Sequence, residues 1–308
     1  MTELSRTDYP QFPAVLDSTT VSSYKSCARQ AFLQYFLHYK PLNPSVHLHA
    51  GGAFAKGLEV CRKAFFQQGL PLTDAVALGA GALLKFYGDF QCPEDSAKSL
   101  ERMLGAYEFY HERYPMDQDK AVPYLTRQGT RAIEFSFAHP IDILHPVTGD
   151  PILYVGRMDQ IVEYAGALYG EDDKTTSQLG ASWPRQWDLR SQFTGYCWGA
   201  AKAEMPLAGF LVRGISILKT KYDTMEAITY RHPWMIDQWY EVTCRTIEKM
   251  IVDWRSGNWD PNLGDSCSSF GGCIFARQVC VSPDPQPWLD GNFARRVWDP
   301  VAREEVEA

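Results

Sequence analysis

ILYVGRMDQIVEY (152–164) and ALYGEDDK (167–174), parted by Ala165 and Gly166, decide the reading of the fold. In both segments apolar and polar side chains alternate with the two-residue period of a half-buried strand. Asp159 lies inside the first segment and Asp172-Asp173-Lys174 ends the second, so Asp159 and Lys174 are expected to meet across neighbouring strands. That pairing has a chemical use. Two carboxylates supply the hard oxygen ligands that Mg²⁺ takes, and a lysine beside them orients or helps deprotonate an attacking water.

Working outward, IEFSFA (133–138) is a preceding strand, and the turn-rich HPVTGDP separates it from the pair. After the pair come a helix through WDLRSQFTGYCWGAAKAE, strands in GFLVRGISILKTKY and EAITYRH, and a long helix from Met235 to Gly257. The expected architecture is α/β, a mixed central sheet flanked by helices over residues 131–257. Residues 1–130 read as a helical region: one helix through VSSYKSCARQAFLQYFL with N-caps offered by Ser18, Thr19 and Thr20, then AFAKGLEVCRKAFFQQ, TDAVALGAGALLKFYGDF and SAKSLERMLGAYEFYHERY. From Asn258 to the end, Gly, Pro and Cys dominate a cysteine-rich segment that is expected to pack on the N-terminal helices and to need help to hold a structure.

The chain has 308 residues, 45% hydrophobic and 22% charged, the balance of a globular protein with a substantial core. Its net charge of −7 argues against coating nucleic acid by bulk electrostatics, but not against a local basic groove beside an acidic site. No apolar run approaches a bilayer-spanning length, and MTELSRTDYPQF lacks the order of a secretory leader, so a cytoplasmic protein without membrane partners is expected. Eight cysteines in that compartment do not suggest a disulfide framework. Cys61, Cys197 and Cys244 sit in apolar patterns as small hydrophobes, and Cys92 sits in a loop.

A lone D-x-K at a strand end is as readily a solvated turn as a site. Here Glu134 on the preceding strand joins it, together with Gln192 and Tyr196, four residues apart and therefore on one helix face. In that order, Glu134, GRMDQIV, DDKTTS and QFTGY resemble the RecB-like branch of the PD-(D/E)XK nuclease superfamily, which includes CRISPR-associated iron-sulfur exonucleases, AddB nuclease domains and phage exonucleases. The resemblance implies a restriction-endonuclease-like core with Asp159 and Asp172 as metal-binding acids and Lys174 as the catalytic lysine. Asp173 would offer its backbone carbonyl to Mg²⁺ or Mn²⁺, Glu134 would be an auxiliary acid, and Gln192 and Tyr196 would lie along the substrate groove. It implies a DNA nuclease, by likeness an exonuclease, acting on DNA that is single-stranded or has a free end, in recombination, repair or phage DNA processing, with recombination proteins as possible partners. One departure matters: Ala55 stands where the family usually places a histidine, and His47 and His49 fall on an expected loop. The alternative is a catalytically weakened DNA-binding or recombination accessory protein that keeps the fold.

Cys267, Cys273 and Cys280 lie in SCSSFGGCIFARQVC, where glycines let three thiolates converge. In the resemblance Cys27 is the fourth ligand and the group is a 4Fe-4S cluster joining the two ends of the chain. Thiolates suit zinc as well, which leaves a zinc-stabilised adaptor open, although zinc sites usually use closer spacing. Arg185, between Trp183 and Trp187, is a candidate phosphate contact. The two tryptophans suit either base stacking or anchoring of the following helix.

Overall fold

A computed structural model describes residues 9–268, 272–302 and 304–307, with side chains to residue 302. Residues 1–8, the start of the stretch read as lacking the order of a secretory leader, and 269–271, within the cysteine segment, lie outside the described residues. The first part of the chain runs β1 (Val15–Asp17), α1 (Ser18–Ser26), α2 (Ala28–Ala31), β2 (Tyr39–Pro41), α3 (Val46–Phe66), α4 (Leu72–Tyr87) and α5 (Leu100–Arg113). The middle runs β3 (Val122–Pro123), β4 (Ile133–Leu144), β5 (Pro151–Tyr164), β6 (Ala167–Thr176), α6 (Ser191–Lys202), β7 (Gly209–Ile217) and β8 (Tyr222–Tyr230). Then follow α7 (Pro233–Ser256), α8 (Gln286–Asn292), β9 (Phe293–Asp299) and β10 (Glu304–Glu307). Two compact units result, one from residues 44–137 and 157–236, the other from 1–43, 138–156 and 237–308. Neither follows the limits expected at 130 and 257.

The first of these units is built on a mixed sheet. β5 pairs antiparallel with β6, β6 parallel with β7, and β7 antiparallel with β8, while β3 adds to β5. β4 also pairs with β5. Every residue of β7, GFLVRGISI, is buried because both faces of the strand are covered. On one face Phe193 of α6 stacks on Phe210 at 4.3 Å. On the other, Phe54 and Leu58 of α3, Leu83 of α4 and Met103 and Tyr107 of α5 form a core with Ile215 and Ile217. α3 and α4 approach closely at Gly57 and Gly79; a Cβ on Gly79 would lie 2.6 Å from the Gly57 carbonyl oxygen, which excludes any larger residue there.

In the second unit β1 runs parallel to the opening residues of β5, Val15 opposite Leu153 and Asp17 opposite Val155. Trp259 packs on Phe32 and Phe36 at 4.9 and 4.7 Å. β2, β9 and β10 form a small antiparallel sheet. A separate core joins Leu33 and Tyr39 to Phe275, Val279, Leu289 and Phe293. The C-terminal segment thus has more regular structure than its composition suggested, because these apolar side chains pair it with the N-terminal helices.

Three local expectations change. The helix drawn through residues 21–37 breaks at Cys27, which is extended at φ −162° and ψ 116°, and it resumes as α2 and a π turn, Phe32–Phe36. Asp17, not a serine or threonine, caps α1 by accepting from Thr20 N at 2.9 Å. His47 and His49 belong to the first turns of α3 rather than to a loop, and His49 stacks on Phe90 at 4.1 Å. Among the described residues, no helix is long and apolar enough to cross a membrane.

Candidate functional site

Strand alternation sorts the acids of β6. Successive side chains point to opposite faces, so Asp172 and Lys174 share the face covered by α6, while Glu171 and Asp173 share the face covered by α3 and α5. The β5–β6 ladder runs to the pair Gln160 and Glu171. Beyond it the Asp173 N–H donates to Asp159 Oδ2 at 2.8 Å, so a carboxylate stands where a main-chain acceptor would otherwise continue the ladder. This bond fixes Asp159 beside Asp172, and Lys174 pairs with the Asp172 carboxylate.

The cluster is electrostatically crowded. Burial, then the charges of Asp172 and Asp173, push the Asp159 carboxyl up to about 8 against the opposing pull of Lys174. Burial pulls the Lys174 ammonium down, but Asp172 and Asp159 outweigh it and hold it above its ordinary value. Glu134 contributes to the crowding around Asp159 and pairs with Arg157 Nε at 3.1 Å. Its backbone is left-handed, φ 54°. Such a site is short of positive charge and presents only oxygen donors, which fits a hard divalent cation. Among the described residues, no group of three or more His, Cys, Asp or Glu side chains is already arranged to hold one ion.

Gln192 Nε2 donates to Tyr196 Oη at 2.9 Å, one helical turn apart on α6. Tyr196 packs edge-on to Phe137 and lies within electrostatic reach of Lys174, which brings this pair to the acids. Arg185 is exposed on a 3₁₀ turn, Pro184–Trp187, and among the described residues no hydrogen bond or ion pair ties it to the acids. Trp183 and Trp187 are buried 5.5 Å apart, and Trp187 O accepts from Arg231 Nη2 at 2.9 Å; they anchor the approach to α6 rather than offering faces to a base. Ala55 is exposed on α3, on the helical stripe between Gly51, which abuts Thr175, and Arg62.

The sequence reading missed the layer behind the strand. Arg62 Nη1 pairs with Asp173 Oδ2 at 2.7 Å and Arg62 Nη2 with Glu171 Oε1 at 2.8 Å, all three side chains being buried. Tyr110 Oη donates to Asp173 Oδ1 at 2.6 Å, Gln160 Nε2 to Glu171 Oε1 at 2.7 Å, and Arg213 pairs with Asp119 at 2.5 Å. Burial raises Glu171 to about 7 despite Arg213 and Arg62. The Asp173 carboxylate is thus committed to Arg62 and Tyr110, and only its backbone remains for the other face. A visible signal existed: Arg213 interrupts a strand otherwise wholly apolar or small, and a buried arginine demands partners.

In the other unit Cys27, Cys267, Cys273 and Cys280 line one small cavity of about 10 Å³. The break at Cys27 turns its thiol inward. Asn262 ties two of the four, its N–H donating to Cys27 Sγ at 3.4 Å and its carbonyl accepting from Cys267 Sγ at 3.8 Å. Burial, then Cys273, raises the Cys280 thiol, with Cys27 and Cys267 adding to it, so all four sulfurs are in electrostatic reach. Four cysteine sulfurs around one cavity suit zinc and an iron-sulfur cluster alike as a donor set.

No family model matches the chain, and no curated protein matches it. Two solved structures are similar in outline. One is an Eubacterium rectale protein described as a candidate exonuclease, 14% identical, covering 87% of this chain and 93% of its own with a TM-score of 0.48. The other is SSO0001, 14% identical, covering 86% of this chain and 96% of its own with a TM-score of 0.32. Both likenesses are too distant to assign a function.

Proposed function

We propose that the chain is a divalent-metal-dependent DNA nuclease, working as an exonuclease on a strand with a free end. The observation that carries this is the pairing of Asp172 and Lys174 on one face of β6 beside the buried Asp159, with Asp173 turned away. Asp159 and Asp172, with the Asp173 carbonyl and with Glu134 nearby, would hold Mg²⁺ or Mn²⁺. Bound there, the cation would supply Lewis acidity toward the phosphodiester. Burial and the neighbouring carboxylates favour the protonated form of Asp159, which would give way to the carboxylate if a cation were held there. Lys174, held charged, donates hydrogen bonds that orient the attacking water and offset phosphate charge. The Gln192–Tyr196 pair steers the strand, and Arg185 is an outlying phosphate contact. The thiol pocket would hold a 4Fe-4S cluster through Cys27, Cys267, Cys273 and Cys280, with zinc as the alternative. Its role is to fasten the C-terminal segment to the N-terminal helices.

Release of nucleotides from end-labelled single and double strands, with Mg²⁺ and with Mn²⁺, tests the proposal; full activity in Asp172→Ala or Lys174→Ala would sink it. Ala55 favours a second reading, a DNA-binding or recombination accessory protein of weakened activity. DNA binding without metal-dependent release would select that reading.

A further inference from the structure

A groove of about 470 Å³ runs along the hairpin that precedes β4, bounded opposite by Glu204 and its neighbours. Its volume is that of a small-ligand site, too small for a duplex. The hairpin tip is pinned: Thr126 N donates to Thr130 O at 2.9 Å and Gly129 N to Thr126 O at 2.9 Å, with Gly129 at φ 78°. Arg131 is spent on that loop, its Nη1 donating to Pro123 O at 2.7 Å. Arg127 is not. It meets Glu204 at 2.5 Å, with the two side chains 79% and 73% exposed. An ion pair in such contact with water contributes at most about 1 kcal/mol, so an incoming phosphate can take the place of Glu204.

Two further observations link the groove to the acids. Glu134 lines it and stands within electrostatic reach of Asp159. Glu134 and Glu204 are also two of only four non-glycine residues with positive φ among the described residues, at 54° and 61°. Glu204 takes this conformation just past the end of α6, whereas Glu134 takes it within β4, where left-handed backbone costs on the order of 1–3 kcal/mol and such strain clusters at binding sites. We propose that the groove binds the terminal nucleotide of a DNA strand whose neighbouring phosphate lies at Asp159, Asp172 and Lys174, with Arg127 exchanging Glu204 for the nucleotide's phosphate. This deepens the nuclease reading and rests on it.

The test is the affinity of the full chain for a labelled single-stranded oligonucleotide in EDTA, where nothing is cut, with competition by deoxynucleoside monophosphates. Arg127→Ala should weaken oligonucleotide binding by roughly tenfold or more, as expected for a lost charge-assisted contact, and should abolish the competition. Glu204→Gln should do the opposite and tighten binding a few-fold. Both residues are exposed, so neither change threatens the fold. Unchanged affinity in Arg127→Ala, a shift of both variants in the same direction, or no binding by the wild type overturns the proposal. If the wild type cuts DNA and Arg127→Ala binds it equally well, the groove assignment fails alone. If the opposite shifts appear but no DNA is ever cut, the nuclease reading fails alone.

Discussion

The acid cluster and the thiol pocket are assembled by different means. At the acids a regular strand does the placing: alternation along β6 sends Asp172 and Lys174 to one face and Asp173 to the other, where Arg62 and Tyr110 hold it. At the thiols an irregular segment places Cys267 and Cys273 through the bond from Cys273 N to Cys267 O at 2.9 Å, and Asn262 bridges to Cys27. A charged site on a strand is organised before any metal arrives. Among the described residues the thiol site has no strand ladder behind it, and its backbone passes through Gly264 and Gly272 at positive φ. Loss of the bound group should therefore silence the first region without unfolding it and should loosen the second.

The largest effect is expected at the acids. Lys174→Ala should lower cleavage by roughly 10²–10⁴-fold, the usual range for removing a group that handles a proton, with the melting temperature little changed. Rates from end-labelled DNA beside thermal melts check both halves. At the thiols the balance should reverse. Protein prepared without oxygen should be brown, and Cys27→Ala should lose the colour and much of the stability of its unit, because metal binding free energy there is folding free energy. A colourless wild type carrying one zinc per chain would decide for the alternative metal.

A smaller effect separates the regions by pH. Asp159 and Glu171 are raised to about 8 and about 7 from ordinary values of 3.8 and 4.5. Unfolded, both carboxyls ionise near their ordinary values, while the folded chain keeps their protons until pH 7–8. Between about pH 4 and pH 8 the folded state therefore binds more protons than the unfolded one, so metal-free stability should fall as pH rises across that range. Melts in EDTA should show this slope, Asp159→Asn should flatten part of it, and added Mg²⁺ should restore stability mainly at the alkaline end. The smallest effect is expected at Ala55. An imidazole there favours later first-row ions, so Ala55→His should raise activity a few-fold, more with Mn²⁺ than with Mg²⁺; a fall with both metals would show that the helix stripe does not face the metal site.

How much of this was legible in the sequence depended on distance along the chain. β5, β6 and α6 follow from periods within a dozen residues, and so do the neighbours Asp172 and Lys174. The Arg62, Tyr110 and Asp173 contacts join α3, α5 and β6, elements more than a hundred residues apart at the extremes, and no local pattern announces them. Glu134 was legible as an acid on a strand, but its left-handed backbone was not, since that conformation is uncommon for a glutamate. The break at Cys27 was hidden because the flanking residues are good helix formers. The contacts found at the break come from far along the chain, Arg29 N donating to Asp260 O at 3.3 Å and Asn262 N to Cys27 Sγ at 3.4 Å.

The sharpest test uses two adjacent residues. Asp172→Asn and Asp173→Asn make the same chemical change on opposite faces of β6, and each should be assayed for metal-dependent release from end-labelled DNA and for thermal stability. Asp172→Asn should abolish cleavage with Mg²⁺ and Mn²⁺ while leaving the fold at least as stable. Asp173→Asn should lower stability, because Arg62 keeps only Glu171 as an ion-pair partner and Tyr110 loses its charged acceptor, yet retain cleavage per folded molecule. Cleavage surviving in Asp172→Asn, or lost in a fully stable Asp173→Asn, would contradict the assignment of the two faces.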